Sequence, residues 1–237
     1  MATFVIVHGA WQGGWIWSRV ARWLRDRGHS VFTPTCTGLG DRSHLLTRAV
    51  NLTTHVEDIL ALFKWESLDD VVLAGHSYGG VVITHVADRI PERIRALVYL
   101  DAFITEHGQS LMDLALPERR RQLREGATRF GDGWRVPGVS AAGYGISDPA
   151  DQAWIDALQV MQPLACLEQQ AELSGAWQRV AGKNYVLATR YDPSPFRQFH
   201  ARLRDDPVWR TFTIPTHHNM MVEMPARTAE ILETCAQ

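Results

Sequence analysis

The stretch Asp70-Val71-Val72-Leu73-Ala74-Gly75-His76-Ser77-Tyr78-Gly79-Gly80-Val81-Val82-Ile83 constrains this chain most. A short apolar run meets a glycine-bracketed serine and then a second apolar run, which predicts a buried strand, a sharp turn and a helix starting at Tyr78. Gly75 and Gly79 lack a Cβ, so strand and helix can pass closely and leave Ser77 lifted at a helix N-terminus. Unpaired N–H groups and the macrodipole there favour negative charge developing on an attacked carbonyl oxygen. The pattern is that of a nucleophile elbow. An idle serine in a glycine-rich turn is the plainer alternative.

Around this stretch, short apolar runs recur at Phe4 to Val7, His29 to Thr33, Ile94 to Leu100, Asn184 to Thr189 and Trp209 to Ile214. Helical patterns lie between most of them, at Arg19 to Asp26, Leu52 to Lys64, Val81 to Asp88, Ser194 to Arg204 and Arg227 to Cys235. Alternating strands and helices predict an α/β fold: a doubly wound, mostly parallel sheet covered by helices on both faces. With 237 residues the chain is expected to form one domain carrying an insertion. Residues 104–176 break the rhythm. They hold helical patterns near Leu111 to Glu125 and Ala150 to Leu173, separated by a Gly/Pro-rich segment from Gly126 to Pro149. So long a departure between strands implies a helical cap inserted into a core of residues 1–103 and 177–237. Ligands of open parallel sheets sit beyond the carboxyl ends of the strands, so such a cap would roof Ser77.

Other function classes find little support. A formal net charge of −2 offers no basic footprint for nucleic acid. Lys64 and Lys183 are the only lysines, and the basic cluster Arg119-Arg120-Arg121 with Arg124 is expected to be a solvated helix face. The N-terminal Met1 to His8 looks like a strand rather than a leader, and no run approaches the eighteen or so apolar residues of a membrane span. Three scattered cysteines, Cys36, Cys166 and Cys235, suit free thiols in a reducing compartment, and a cytoplasmic protein is expected. Gly38-Leu39-Gly40 lacks the third glycine and helix of a dinucleotide fingerprint, no phosphate-loop lysine follows a glycine cluster, and the ten histidines include no zinc spacing. No cofactor and no metal are expected.

A serine hydroxyl needs a base to take its proton and a third group to orient that base. After the run ending at Ile214 comes Pro215-Thr216-His217-His218-Asn219-Met220-Met221, where either histidine can act as base near neutral pH. After the run ending at Thr189, Asp192 is the only carboxylate of its turn and the expected orienting acid. It has a rival in Asp101, at the end of the strand before the insertion, and a plainer role as a helix cap. For the oxyanion, the backbone N–H groups of Tyr78 and of Ala10, in the loop after the first strand, are the expected donors. His8 is expected to order that loop rather than to serve as a second base. Nine tryptophans offer apolar lining, and Trp11, Trp134 and Met221 are the expected pocket residues.

At His8-Gly9-Ala10-Trp11-Gln12-Gly13-Gly14-Trp15, Gly75-His76-Ser77-Tyr78-Gly79-Gly80 and Thr216-His217-His218-Asn219-Met220-Met221, the chain resembles the α/β-hydrolase family. The likeness is to the branch of bacterial carboxylesterases, plant methylesterases and plant hydroxynitrile lyases. It extends over Thr37 to Ser43 and Tyr99 to Phe103 and is weakest in the insertion. The resemblance implies a six-stranded sheet with its cap after the fourth strand, and a Ser, Asp, His order of the triad. It favours His218 as the base, because the family's base is followed three residues on by an apolar residue, here Met221. For the acid, Asp192-Pro193-Ser194-Pro195 matches with a spacer one residue shorter. Lyases of the branch carry threonine and lysine where this chain has Gly9 and Asn219, so a departing cyanide lacks its cationic partner and hydrolysis is favoured.

The resulting expectation is a serine carboxylester hydrolase acting through Ser77, His218 and Asp192 on a small to medium apolar or aromatic ester. Methyl esters, pyrethroid-like esters and aryl carbamates are the classes the resemblance suggests. The alternatives are a lyase of the hydroxynitrile type and a ligand sensor that retains the fold. The expected partner is the small-molecule ester alone, without nucleic acid or membrane, for a monomer or a homodimer.

Overall fold

The computed structural model describes all 237 residues. In chain order the first half comprises β1 (Thr3–Val7), α1 (Ser18–Asp26), β2 (Ser30–Phe32), α2 (Leu52–Trp65), β3 (Val71–His76), α3 (Gly79–Arg89) and β4 (Ile94–Leu100). Then follow α4 (Leu111–Leu114), α5 (Pro117–Phe130), β5 (Arg135–Val136), α6 (Pro149–Leu158), β6 (Gln162–Pro163) and α7 (Leu164–Glu168). The chain closes with β7 (Gly182–Ala188), α8 (Arg197–Leu203), β8 (Trp209–Ile214), α9 (Met220–Glu223) and α10 (Pro225–Cys235). No helix is long and apolar enough to cross a membrane.

Six strands form one parallel sheet in the order β2-β1-β3-β4-β7-β8. Side chains alternate between its faces, as period-2 geometry requires. Phe4 and Ile6 pack with α1 and α10, while Val5 and Val7 pack with α2 and α3. Every residue of β3 is buried, which is why Val71 to Ala74 is an unbroken apolar run rather than an alternating one. The chain leaves β1 toward β2 on one side and returns to β3 on the other. The loops after β1 and β3 therefore open side by side at a switch point, where such sheets bind ligands.

The insertion is more broken than its periodicity suggests. Pro117 starts α5 afresh after the single turn of α4, because a proline has no N–H to donate and fits only the first turn of a helix. The run from Ala150 is interrupted likewise, where Gln162–Pro163 leaves the helix to pair antiparallel with Arg135–Val136. Helix α8 begins at Arg197 rather than Ser194, with the Ser194 hydroxyl accepting the Phe196 N–H ahead of it.

Candidate active site

The turn between β3 and α3 holds Ser77 at φ +53°, a strained left-handed conformation for a residue with a side chain. Three backbone bonds hold it: Ser77 N–H donates to Leu100 O, and Ser77 O accepts from Gly80 and Phe103. Close passage at the elbow is literal. A Cβ on Gly75 would sit 2.5 Å from the Gly79 carbonyl oxygen, and one on Gly80 would sit 2.4 Å from that of Phe103.

Ser77 opens into a cavity of about 370 Å³, lined also by Ala10, Trp11, Tyr78, Tyr144, Tyr191 and His218. Residues of α4, α5 and α7 complete its wall, so the insertion encloses the serine. Its size suits a small organic molecule.

His218 is buried, and its Nδ1 donates to Asp101 Oδ2 over 2.7 Å. Asp101 is fully buried at the end of β4, and its other oxygen accepts the Ala188 N–H from β7. With Nδ1 engaged, Nε2 is the ring nitrogen left to accept a proton from Ser77. No hydrogen bond joins the Ser77 hydroxyl to the ring here; such contacts tighten in substrate complexes. The imidazole stacks on Tyr191 and Phe196 at 4.9 and 5.0 Å between ring centres. Burial, with the Arg119 guanidinium acting the same way, pushes its pKa down to about 3. Burial pushes the Asp101 carboxyl upward, against the pull of the Ala188 N–H.

Asp192, the carboxylate expected to orient the base, is not its partner. The turn after β7 carries it outward to the rim of the cavity, with a side chain 80% exposed and 3.9 Å from Arg197. The carboxyl ends of β4 and β7 are neighbours in the sheet, so a carboxylate after either could reach the imidazole; it is the buried Asp101 that meets it. His217 lies outside the cavity and donates its backbone N–H to Glu223, with its ring Nδ1 3.1 Å from the same carboxylate.

The N–H groups of Ala10 and Tyr78 have no acceptor within the protein, as oxyanion donors require. Trp11, at φ +65°, is held by the insertion. Its N–H donates to Gln162 Oε1, its indole to Val136 O, and its carbonyl accepts from Val160. Gln12 donates to Asn219 Oδ1 over 3.1 Å, and His76 Nε2 donates to His218 O over 3.0 Å, so the loops flanking the site are tied together. His8 accepts the Cys36 N–H and orders its loop, with burial pushing its pKa to about 4.

Of the pocket residues, Trp11 lines the cavity. Met221 does not; it is wholly buried on the other face of the sheet, in the apolar cluster that also holds Trp17, Val20 and Ile231. Trp134 also lies away from the cavity, with the guanidinium groups of Arg48 and Arg135 over its ring at 5.4 and 5.1 Å. Gln162, bonded to the Trp11 N–H, and Arg119, in the cavity wall, carry no mark of these positions in the sequence. Nothing in their local pattern separates a polar residue facing a cavity from one facing water.

A model of the alpha/beta hydrolase family matches residues 4–231. The chain belongs to that family. It is 44% identical over 245 residues to a carbendazim hydrolyzing esterase from a Nocardioides species, covering 98% of both chains. Among solved structures, an extracellular alpha/beta-hydrolase from a Paenibacillus species superimposes with a TM-score of 0.88 at 23% identity, covering 99% of both chains. A pyrethroid hydrolase from Sphingobium faniae gives 0.78 at 20% identity, covering 99% of this chain and 97% of that one. These two likenesses speak for the fold.

Proposed function

We propose that the protein is a serine carboxylester hydrolase that takes small to medium apolar or aromatic esters through an acyl-enzyme. The observation that carries this reading is a histidine hydrogen-bonded to a buried carboxylate inside the apolar cavity that also holds the elbow serine. Ester hydrolysis is supported by the family and by the similarity to an esterase over nearly the full chain. The relative's named substrate, together with the pyrethroid hydrolase fold, makes aryl carbamates and pyrethroid-like esters natural substrates to try beside methyl esters.

Ser77 attacks the ester carbonyl while His218 Nε2 takes its proton, and the new oxyanion is held by the N–H groups of Ala10 and Tyr78. As the tetrahedral adduct collapses, the C–O bond to the alcohol breaks and His218 returns the proton to the departing oxygen. Water then attacks the acyl-enzyme, with His218 again taking a proton and passing it to Ser77 Oγ. Asp101 fixes the tautomer and stabilises the imidazolium in both halves. Three buried free cysteines favour a reducing compartment, and the cytoplasm is the location that fits them.

The test is labelling by a fluorophosphonate, followed by peptide mass spectrometry, beside turnover of a simple aryl ester. The label should fall on Ser77, and Ser77→Ala should lose turnover by on the order of 10⁴-fold or more. A label elsewhere, or a Ser77→Ala protein that still turns over the ester, overturns the mechanism.

A further inference from the structure

The arginine run at the start of α5 divides in the fold. Arg121 pairs with Glu118 and Glu125, and Arg124 with Glu168, all at the surface. Arg119 turns the other way, half-buried, into the cavity that holds Ser77 and His218. It has no carboxylate partner, and its guanidinium lies 5.5 Å from the centre of the Trp11 ring. The acidic residues of the same cavity already face cations, Glu118 that of Arg121 and Asp192 that of Arg197. A first-turn position adds to the cost of this charge, since the positive end of a helix disfavours a cation there. The cavity wall is otherwise largely apolar or aromatic, with Leu116, Leu123 and Val139, and the neutral groups that face the guanidinium, such as the Tyr144 phenol, carry no balancing charge. An uncompensated guanidinium in such surroundings is a strong, directional donor.

We propose that Arg119 determines specificity by binding a hydrogen-bond acceptor on the substrate, away from the reacting carbonyl. The preferred substrate is an otherwise apolar or aromatic ester carrying such a group, with a carboxylate as its strongest form. This deepens the esterase reading and rests on it for the identity of the reacting bond, but the binding claim can be read without turnover.

Two matched sets of esters test it. On the acyl side, 4-nitrophenyl hexanoate, 4-nitrophenyl 5-oxohexanoate and mono-4-nitrophenyl adipate differ only in the tip of the acyl arm. On the alcohol side, 4-ethylphenyl, 4-acetylphenyl and 4-carboxyphenyl acetates do the same for the leaving group. The quantity read is the wild-type to Arg119→Met ratio of kcat/KM for each ester, which cancels intrinsic reactivity. In at least one set the ratio should be about tenfold or more larger for an acceptor-bearing ester than for its alkyl partner, mostly through KM, the worth of one charge-assisted bond. Arg119→Lys should restore part of it, and Arg124→Met, whose ion pair with Glu168 lies outside the cavity, should leave the ratios alone. Equal ratios across both sets overturn the proposal and make Arg119 a structural residue.

Binding is measured separately on the Ser77→Ala protein by calorimetry with 4-phenylbutyrate and 4-phenylbutan-1-ol. The carboxylate should bind about tenfold tighter than the alcohol, and this margin should vanish when Arg119→Met is added. No margin, or one that survives the substitution, counts against Arg119. A margin that behaves as expected in a protein that hydrolyses none of the esters would sink the esterase reading and leave the Arg119 site standing.

Discussion

His218 and Asp101 lie 117 residues apart in the chain and meet at 2.7 Å, with the carboxylate wholly closed off from solvent. Their contact predicts which acid matters. Asp101→Asn keeps an oxygen for the Ala188 N–H but loses the anion that faces the imidazole, so the fold should persist while kcat falls by about 10³-fold or more. Asp192→Asn changes an exposed side chain at the cavity rim and should cost less than about tenfold. Steady-state kinetics on the two variants, with circular dichroism as the folding control, decide between them. The opposite ranking would return the role to Asp192.

The surroundings of His218 predict an unusual pH profile. Facing it are Asp101 from the end of β4, His76 from β3, Tyr144 and Arg119 from the insertion, and Tyr191 from the turn after β7. Burial and the Arg119 charge both disfavour the imidazolium. Only the neutral ring accepts the serine proton, so a lowered pKa keeps the base active further into acid. The acid limb of kcat/KM should therefore lie below the ordinary histidine value of about 6.5. Arg119→Met should move it upward, because removing a neighbouring positive charge makes protonation easier. A wild-type limb at or above that value would mean that the Asp101 anion outweighs burial.

Much of this architecture was legible in the residues. The elbow, the parallel sheet and its strands follow from local pattern: an apolar run, then Gly-x-Ser-x-Gly, then a helical run, can hardly be satisfied otherwise. The choice between Asp101 and Asp192 was not legible, because both follow strands whose ends are adjacent in the sheet. What separates them is burial, which depends on how the turn after β7 leaves the sheet. Met221 and Trp134 misled for a related reason. Their apolar character shows that they are covered, but not which face of the sheet or which arginine side chains cover them. Arg119 shares its composition with Arg121, and only the rotation of α5 against the core makes one a cavity residue and the other a surface ion pair.

Gln162 predicts that the insertion sets the geometry of the oxyanion loop. Its side chain is fully buried and accepts the N–H of Trp11, whose left-handed backbone immediately follows Ala10. Gln162→Leu leaves that N–H without an acceptor and frees a strained residue next to a proposed oxyanion donor. We expect kcat to fall by about tenfold with little change in KM, since the lost interaction bears on the transition state. An increase in KM alone would mean that Gln162 shapes the pocket rather than the loop.

Two glycines predict stability changes of opposite sign. At Gly75 an added Cβ meets backbone atoms of Gly79 at 2.5 and 2.6 Å, and neither strand nor helix can retreat without displacing Ser77. Gly75→Ala should destabilise by about 1–3 kcal/mol or more and reduce turnover further than the loss of folded protein accounts for. Gly126, inside α5, has only the ring carbons of Pro137 near such a Cβ, at 3.4 Å. There the substitution removes a flexible residue from a helix interior, so Gly126→Ala should stabilise by about 0.5–1 kcal/mol. Urea unfolding of both variants beside the wild type reads the two signs. A neutral Gly75→Ala would mean that the close approach of strand and helix is not what holds the nucleophile in its strained turn.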